Sequence, residues 1–194
     1  MENAELLKKL REETGISMIE CKKALEDANW DIQRAKEILR EKGKEMIKGR
    51  SSREMNKGIV EAYIHMGGKI GVMLELLCES DFVAKSDDFK KLAHEIALQA
   101  AATRPLFVSP EDIPEEVLNN EIKICQKQFE VSNKPQNILN QIIEGRIKKY
   151  KEEVSLLSQP WVKDPSKKIQ DLITETRAKI GENITIGKFA RFEI

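Results

Sequence analysis

The stretch from Lys69 to Ala102 constrains the fold most, because its apolar residues change from one period to another. In its first part every second residue is apolar, which predicts a strand with one buried face (Ile70, Val72, Leu74, Leu76 and Cys78). In its last part the apolar residues recur at helical spacing (Phe89, Leu92, Ala93, Ile96, Ala97 and Ala100). The stretch therefore predicts a strand followed directly by an amphipathic helix.

The junction between these two elements is Ser80-Asp81-Phe82-Val83. Phe82 belongs to neither apolar pattern, so neither element accounts for its large ring. A strand-to-helix junction lies at the rim of a sheet, where a side chain can project into a partner. We therefore predict that Phe82 contacts another molecule.

Bulk composition limits the classes of function. The chain has 194 residues, with 33 Lys plus Arg, 33 Asp plus Glu and 5% aromatic residues. This balance favours helices with charged outer faces and disfavours a mainly nucleic-acid-binding chain, which needs a net basic surface. No apolar run approaches the roughly 20 residues of a membrane span, and the first residues lack the apolar segment of a signal peptide. We expect a cytoplasmic protein that contacts neither membrane nor nucleic acid directly.

Three cysteines, Cys21, Cys78 and Cys125, are widely spaced, and only two histidines accompany them. Each cysteine lies on the apolar face of its predicted element. Buried free thiols are therefore expected rather than a metal or redox site. No cofactor and no bound metal are predicted.

Three segments are predicted along the chain. Residues 1–45 form a three-helix domain, residues 46–57 a polar, basic linker, and residues 58–194 an α+β core and dimerisation domain. The helix signals in the first segment are a terminating turn, a capping box, an N-cap and a closing glycine (Thr14-Gly15, Ser17 with Glu20, Asp31 and Gly43).

Met18 and Ile19 are adjacent apolar residues in the first turn of the second helix. Adjacent side chains on a helix diverge, so both can hardly point inward at once. Two interpretations stay open. The pair forms an exposed apolar patch beside Arg11 that contacts a protein, or both side chains pack into the rim of a small bundle.

A hairpin precedes the central stretch. Alternation from Gly58 to His65 predicts a strand, and Gly67 and Gly68 supply the positive φ angles of a tight turn. His65 lies at the tip, with neither a carboxylate nor a pocket evident for acid–base chemistry. An exposed histidine at a binding edge is the prediction.

The remainder of the chain is mostly helical. Helices are predicted after Ser109-Pro110, from Asn133-Lys134-Pro135 and after Asp164-Pro165. The tail from Ile184 to Ile194 alternates again and predicts a strand beside the hairpin, with a bulge at Gly187. Strands separated by a helical block indicate an α+β fold with a small antiparallel sheet packed with helices.

Recognisable catalytic motifs are absent from the sequence. It contains no glycine-rich phosphate loop and no serine at a nucleophile elbow. Its carboxylate pairs, Asp87-Asp88 and Glu115-Glu116, are adjacent on helices and diverge, so they make poor acid–base dyads. An interaction protein is favoured over an enzyme.

Four segments resemble the elongation factor Ts family, the guanine-nucleotide exchange factors of elongation factor Tu. TGISMIECKKAL at 14–25 is similar to the N-terminal signature of that family, and CESDFVA at 78–84 to its second signature. QPWVKD at 159–164 and IGENI at 180–184 also match. Ser80 departs from the usual threonine but keeps the hydroxyl, and the length is that of a short form with one core repeat.

This resemblance implies an exchange factor that acts by binding elongation factor Tu, without covalent chemistry. Asp81 and Phe82, with Ser80 and Val83 beside them, would enter the G domain near its Mg²⁺ and phosphate site and promote GDP release. The first domain, similar to a ubiquitin-associated domain, would dock on the same G domain through Arg11, Met18, Ile19 and Lys22. His65, Gly67 and Gly68 match a loop that also approaches the partner. Two chains are expected to associate through the sheet edge near the C-terminal strand.

Three rival functions remain. A ubiquitin-associated-type adaptor without exchange activity would depend on Met18 and Ile19 and not on Phe82. An RNA-binding accessory would use residues 44–57 and the basic face at residues 146–151. An enzyme centred on Cys78 or His65 is the third, and alkylation of the thiols would then abolish its activity.

Overall fold

The structure, a computed structural model, describes residues 2–16, 18–49, 54–129 and 135–194. Its first three helices are α1 (Glu2–Thr14), α2 (Met18–Asp27) and α3 (Ile32–Gly49). The core then follows in the order β1 (Lys57–Ile64), β2 (Ile70–Cys78), α4 (Asp81–Lys85), α5 (Asp87–Thr103), α6 (Glu115–Phe129), α7 (Gln136–Val154), β3 (Pro160–Trp161), β4 (Asp164–Lys168), α8 (Ile169–Ile180) and β5 (Ile184–Glu193).

Helices α1–α3, called the bundle below, pack around a small core that includes Leu10, Cys21, Leu25 and Leu39. Gly15 ends α1 in the left-handed region, at φ 68°. The Asp31 carboxylate caps α3 by accepting the Arg34 N–H at 2.9 Å. The capping box predicted at Ser17 lies outside the described residues.

Helix α3 continues to Gly49, so the predicted end at Gly43 is wrong. An internal glycine costs only about 1 kcal/mol relative to alanine, and the lysines and glutamates around it favour the helix. Part of the segment predicted as a linker is therefore helical.

The sheet has the order β1-β2-β5, with both neighbouring pairs antiparallel. This confirms the predicted hairpin and the C-terminal strand beside it. Two residues of β5, Gly187 and Lys188, oppose the single residue Glu75, which confirms the predicted bulge.

The two faces of the sheet differ in how far helices cover them. The inward residues of β2 pack against α5 and α8, with Phe89, Ile96 and Ile173 buried among them. The outward face carries exposed apolar side chains from all three strands (Val60, Ile64, Met73 and Phe192). The antiparallel α+β architecture agrees with the fold class predicted from the sequence.

Two helix starts differ from the predictions. Helix α8 begins at Ile169, because Asp164–Lys168 pairs with Pro160–Trp161 as a short ribbon. The Asp171 carboxylate then accepts the Lys168 N–H at 3.0 Å and fixes the helix start. A 3-10 turn at Pro110–Asp112 precedes α6, which itself begins at Glu115.

The bundle packs against α8 of the core. Ala178 joins the bundle's apolar core, and the Arg40 guanidinium lies 3.1 Å from the Asp171 carboxylate. The Gly15 turn lies so close to Lys179 that a Cβ at Gly15 would meet its side chain at 2.6 Å. No helix within the described ranges is long and apolar enough to cross a membrane.

Candidate partner-binding site

The junction between β2 and α5 is a short helix, α4, held at both ends by serines. Ser80 is its N-cap, with the Oγ accepting the Val83 N–H at 3.3 Å. Ser86 ends α4 by donating its hydroxyl to the Val83 carbonyl at 2.8 Å, and it begins α5 by accepting the Phe89 N–H at 3.4 Å. A five-residue helix cannot hold itself together, so these caps define its position.

The first turn of α4 separates exposed from buried side chains. Phe82 is 85% exposed, whereas Val83 and Ala84 are each 5% exposed and belong to the main core. Asp81 is exposed as well, with its Oδ2 3.6 Å from the Lys57 Nζ. Of the four residues predicted at the junction, Asp81 and Phe82 face outward, Ser80 is half-buried, and Val83 anchors the turn in the core.

Glu182 holds the backbone immediately before Phe82. Its Oε2 accepts the Ser80 N–H at 3.1 Å, and its Oε1 accepts the Ser80 hydroxyl at 2.7 Å. In the reverse direction, the Glu79 Oε1 accepts the Asn183 N–H at 2.9 Å. Sequence reasoning missed Glu182, although it lies within the 180–184 segment that carries the family resemblance.

Cys78, just before the junction, is fully buried and donates its thiol to the Ser80 carbonyl at 3.2 Å. Burial raises the pKa of this thiol, and the negative charges of Glu182 and Asp81 act in the same direction. Reactive cysteines need the opposite, an exposed and electropositive environment. The geometry therefore disfavours the enzyme alternative centred on Cys78. Among the described residues, no group of three or more His, Cys, Asp or Glu side chains could hold a metal ion.

The predicted patch on the bundle is exposed. Met18 is 42% and Ile19 71% exposed, and Arg11 and Lys22 also face solvent. The Lys22 ammonium lies 3.8 Å from the Glu26 carboxylate one turn later. Of the two interpretations left open, the exposed patch agrees with the structure, and packing of both residues into the bundle rim does not.

The hairpin tip, His65–Gly68, is exposed along its whole length. Gly67 and Gly68 have φ angles of 90° and 69°, as the predicted turn requires. The His65 Nδ1 lies 3.0 Å from the Tyr63 hydroxyl, so an aromatic neighbour on β1 orients the imidazole.

The three predicted surfaces are not all neighbours. Junction and hairpin tip lie at opposite ends of β2, about 26 Å apart for eight residue steps of an extended strand. The bundle lies nearer the junction, because Lys179 contacts the Gly15 turn and its Nζ is 2.6 Å from Asp88 at the start of α5. The structure therefore brings the bundle towards Phe82 and leaves the hairpin tip apart.

These features define an α+β protein with an N-terminal three-helix bundle and an aromatic ring exposed at a strand-to-helix junction. A family model described as Elongation factor TS matches residues 4–194. The chain therefore belongs to the elongation factor Ts family of translation elongation factors.

Similar proteins carry the same name and match in length. Elongation factor Ts of Carboxydothermus hydrogenoformans is 48% identical over 194 residues, covering 100% of this chain and 89% of that protein. Elongation factor Ts of Thermodesulfovibrio yellowstonii is 50% identical over 191 residues, covering 98% of this chain and 95% of that protein. Elongation factor Ts of Thermotoga petrophila is 48% identical over 190 residues, covering 98% of this chain and 94% of that protein.

Proposed function

We propose that this chain is the guanine-nucleotide exchange factor of elongation factor Tu. It promotes GDP release by inserting Asp81 and Phe82 near the Mg²⁺ and phosphate site of the G domain, and GTP then reloads. The observation that carries the proposal is Phe82, which is 85% exposed on a helix whose next two residues are buried. An exposed ring on a fixed base can enter a partner's pocket at little conformational cost.

The physical mechanism needs no covalent step by this chain. Mg²⁺ demands near-ideal octahedral geometry, so a small displacement of its surroundings weakens the binding of the ion and of the diphosphate that it bridges. Phe82 supplies apolar area for the wedge, and Asp81 places a negative charge beside the metal's ligands. Exchange factor and GDP then lower each other's affinity by the same factor, with about 1.4 kcal/mol for each tenfold.

The bundle patch and the hairpin tip extend this proposed contact. Arg11, Met18, Ile19 and Lys22 combine an apolar centre with two flanking positive charges, a pattern suited to a protein surface. His65, Gly67 and Gly68 would form a second, separate contact. Their distance from the junction suits a partner large enough to span the sheet from end to end.

A protein-binding adaptor without exchange activity is the second candidate function. The exposure of Met18 and Ile19 favours it, because this patch could bind a partner without Phe82. The discriminating result is simple. An adaptor binds its partner equally well with or without the Phe82 ring and leaves nucleotide release unchanged.

Self-association is part of the proposal. Strand β5 is an edge strand, and Phe192 and Ile194 near its end are exposed next to the open apolar face of the sheet. We expect two chains to associate there, because an open edge beside an apolar face is a ready pairing surface. Light scattering at working concentration checks this, and a monomer throughout would contradict it.

A cytoplasmic location and the lack of direct nucleic-acid contact remain predictions.

The experiment measures release of a fluorescent GDP analogue from elongation factor Tu, with the wild-type chain, Phe82→Ala and Leu106→Ala. Leu106 is the matched control, because it is an exposed apolar residue that follows the end of α5 farthest from the junction. We expect wild type and Leu106→Ala to accelerate release equally and Phe82→Ala to be slower by roughly thirtyfold, as for a binding hot spot. Equal acceleration by all three would remove Phe82 from the mechanism, and no acceleration by any would refute the exchange function.

A further inference from the structure

The position of the Phe82 ring depends on the backbone that carries it. The ring is largely exposed, so its direction is inherited from the backbone of α4. That helix has only five residues and cannot be stable without caps and packing. The groups that fix Ser80 therefore also fix the backbone from which the ring projects.

Glu182 completes a directed chain of hydrogen bonds that ends at α4. The Val83 N–H donates to the Ser80 Oγ, and the Ser80 hydroxyl in turn donates to the Glu182 Oε1. With its hydrogen committed to the carboxylate, the hydroxyl keeps its lone pairs towards the helix. Hydrogen bonds to a charged acceptor are about twice as strong as neutral ones, and bonds in a chain polarise one another.

Glu182 is itself fixed by its surroundings. It follows Gly181, which ends α8 at φ 82° and donates its N–H to the Arg177 carbonyl at 2.8 Å. The next residue, Asn183, donates its N–H to Glu79 on the neighbouring segment. Residues 79–80 and 182–183 are thus linked in both directions, and the turn after α8 holds the start of α4.

Resting on the proposed exchange function, we propose that Glu182 is a positioning residue for Phe82. Its carboxylate holds the Ser80 cap, so that the backbone carrying the ring is already in place before the partner arrives. Without it, the fold persists through the buried side chains of Val83, Ala84 and Phe89, but the first turn of α4 opens more often.

The first test examines the free protein by amide hydrogen exchange. Glu182→Ala should speed exchange of the Val83 and Ala84 amides about tenfold and leave the α5 amides near Ile96 unchanged, as for a local opening. Asp164→Ala is the matched control, because the Asp164 carboxylate also accepts a serine's N–H and hydroxyl (those of Ser166, at 3.2 and 2.6 Å), on a different turn. Unchanged protection at Val83 in Glu182→Ala would overturn the proposal, whatever the exchange activity.

The second test is a double-mutant cycle in the GDP-release assay. Glu182→Ala alone should slow release roughly five- to thirtyfold, and it should add little once Phe82 is already alanine, because residues acting through one another are non-additive. Glu182→Gln keeps the side-chain length but loses the charge and one of the two acceptor oxygens, so its activity should lie between those of the wild type and Glu182→Ala. Additive losses would mean that Glu182 acts independently of the ring. An inactive wild type would refute the exchange function, and the amide measurement would still decide the positioning role.

Discussion

The two ends of the central sheet present exposed side chains in different ways. At the junction end, α4 is held by Glu182, which lies 102 residues further along the chain. At the hairpin tip, the turn is closed by local bonds, His65 N–H to the Ile70 carbonyl and Gly68 N–H to the His65 carbonyl, each at 2.9 Å. The start of α4 therefore depends on a tertiary contact, whereas the turn at the hairpin tip is closed by its own residues.

This difference has a consequence for recognition. A backbone segment held by distant contacts keeps its position as long as the core is intact, whereas a hairpin tip can move without disturbing the core. We therefore expect the junction to act as a fixed wedge and the hairpin tip to adapt to the partner surface.

The largest expected effect is on stability, and it comes from comparing a buried with an exposed phenylalanine near the junction. Phe89→Ala removes a fully buried ring on α5, and Phe82→Ala removes the same group seven residues earlier from an exposed position. The first should lower the free energy of unfolding by about 3–5 kcal/mol, and the second should change it by no more than about 0.5 kcal/mol. Urea denaturation measures both.

The activity assay should rank these variants in the opposite order. At a temperature where Phe89→Ala is still folded, it should keep more exchange activity than Phe82→Ala. A large loss of stability in Phe82→Ala would show that the ring packs against the chain itself, and the wedge assignment would then be unsupported.

A smaller effect is expected at the hairpin tip. Gly68→Ala places a side chain at φ 69° with no atom within 4 Å of the new Cβ, so only backbone strain opposes it. The expected cost is about 1–2 kcal/mol of stability. Gly145→Ala, in the exposed middle of α7 with equally open space, should instead stabilise by about 0.5–1 kcal/mol. Thermal unfolding measures both, and shifts of the same sign would contradict this explanation.

The bundle patch should contribute affinity and not stability. Changing Met18 and Ile19 together to serine removes exposed apolar area, so the free energy of unfolding should change by less than about 0.5 kcal/mol. Titration calorimetry with elongation factor Tu should show several-fold weaker binding. Unchanged affinity would mean that the bundle patch does not contribute to binding and that the partner is recognised by the α+β domain alone.

Local sequence patterns predicted the elements whose backbone geometry depends on neighbouring residues. The period-two run of β2, the helical spacing of α5 and the glycines of the hairpin each determine backbone geometry within a few residues. Phe82 could be predicted as exposed because it fits neither pattern.

What the sequence did not predict depends on distant contacts. Glu182 matters because the turn after α8 meets the start of α4, and no periodicity links residues 102 positions apart. The ribbon of β3 and β4 was likewise missed, since two residues paired with five leave no alternation to detect. The continuation of α3 beyond Gly43 shows that one glycine is a weak stop signal when its neighbours favour a helix.

The smallest expected effect concerns the carboxylate at the hairpin end that corresponds to Glu182. Glu193 pairs with Ile70 across the sheet and accepts hydrogen bonds from Arg191, at 2.7 Å, and from Arg104. The Arg191 hydrogen bond lowers the pKa of Glu193 below its ordinary 4.5, and the nearby charges of both arginines act in the same direction.

A lowered carboxyl pKa stabilises the folded state above the unfolded-state pKa, and this contribution is lost as the pH falls through the folded-state value. Glu193→Gln should therefore lower the urea midpoint slightly at pH 7, and this difference should shrink as the pH falls below 4.5 and the wild-type carboxyl becomes protonated. The pair is exposed, so added salt should reduce the difference at pH 7. Equal losses at pH 7 and well below pH 4.5 would mean that Glu193 acts through packing rather than charge, unlike Glu182 at the junction end.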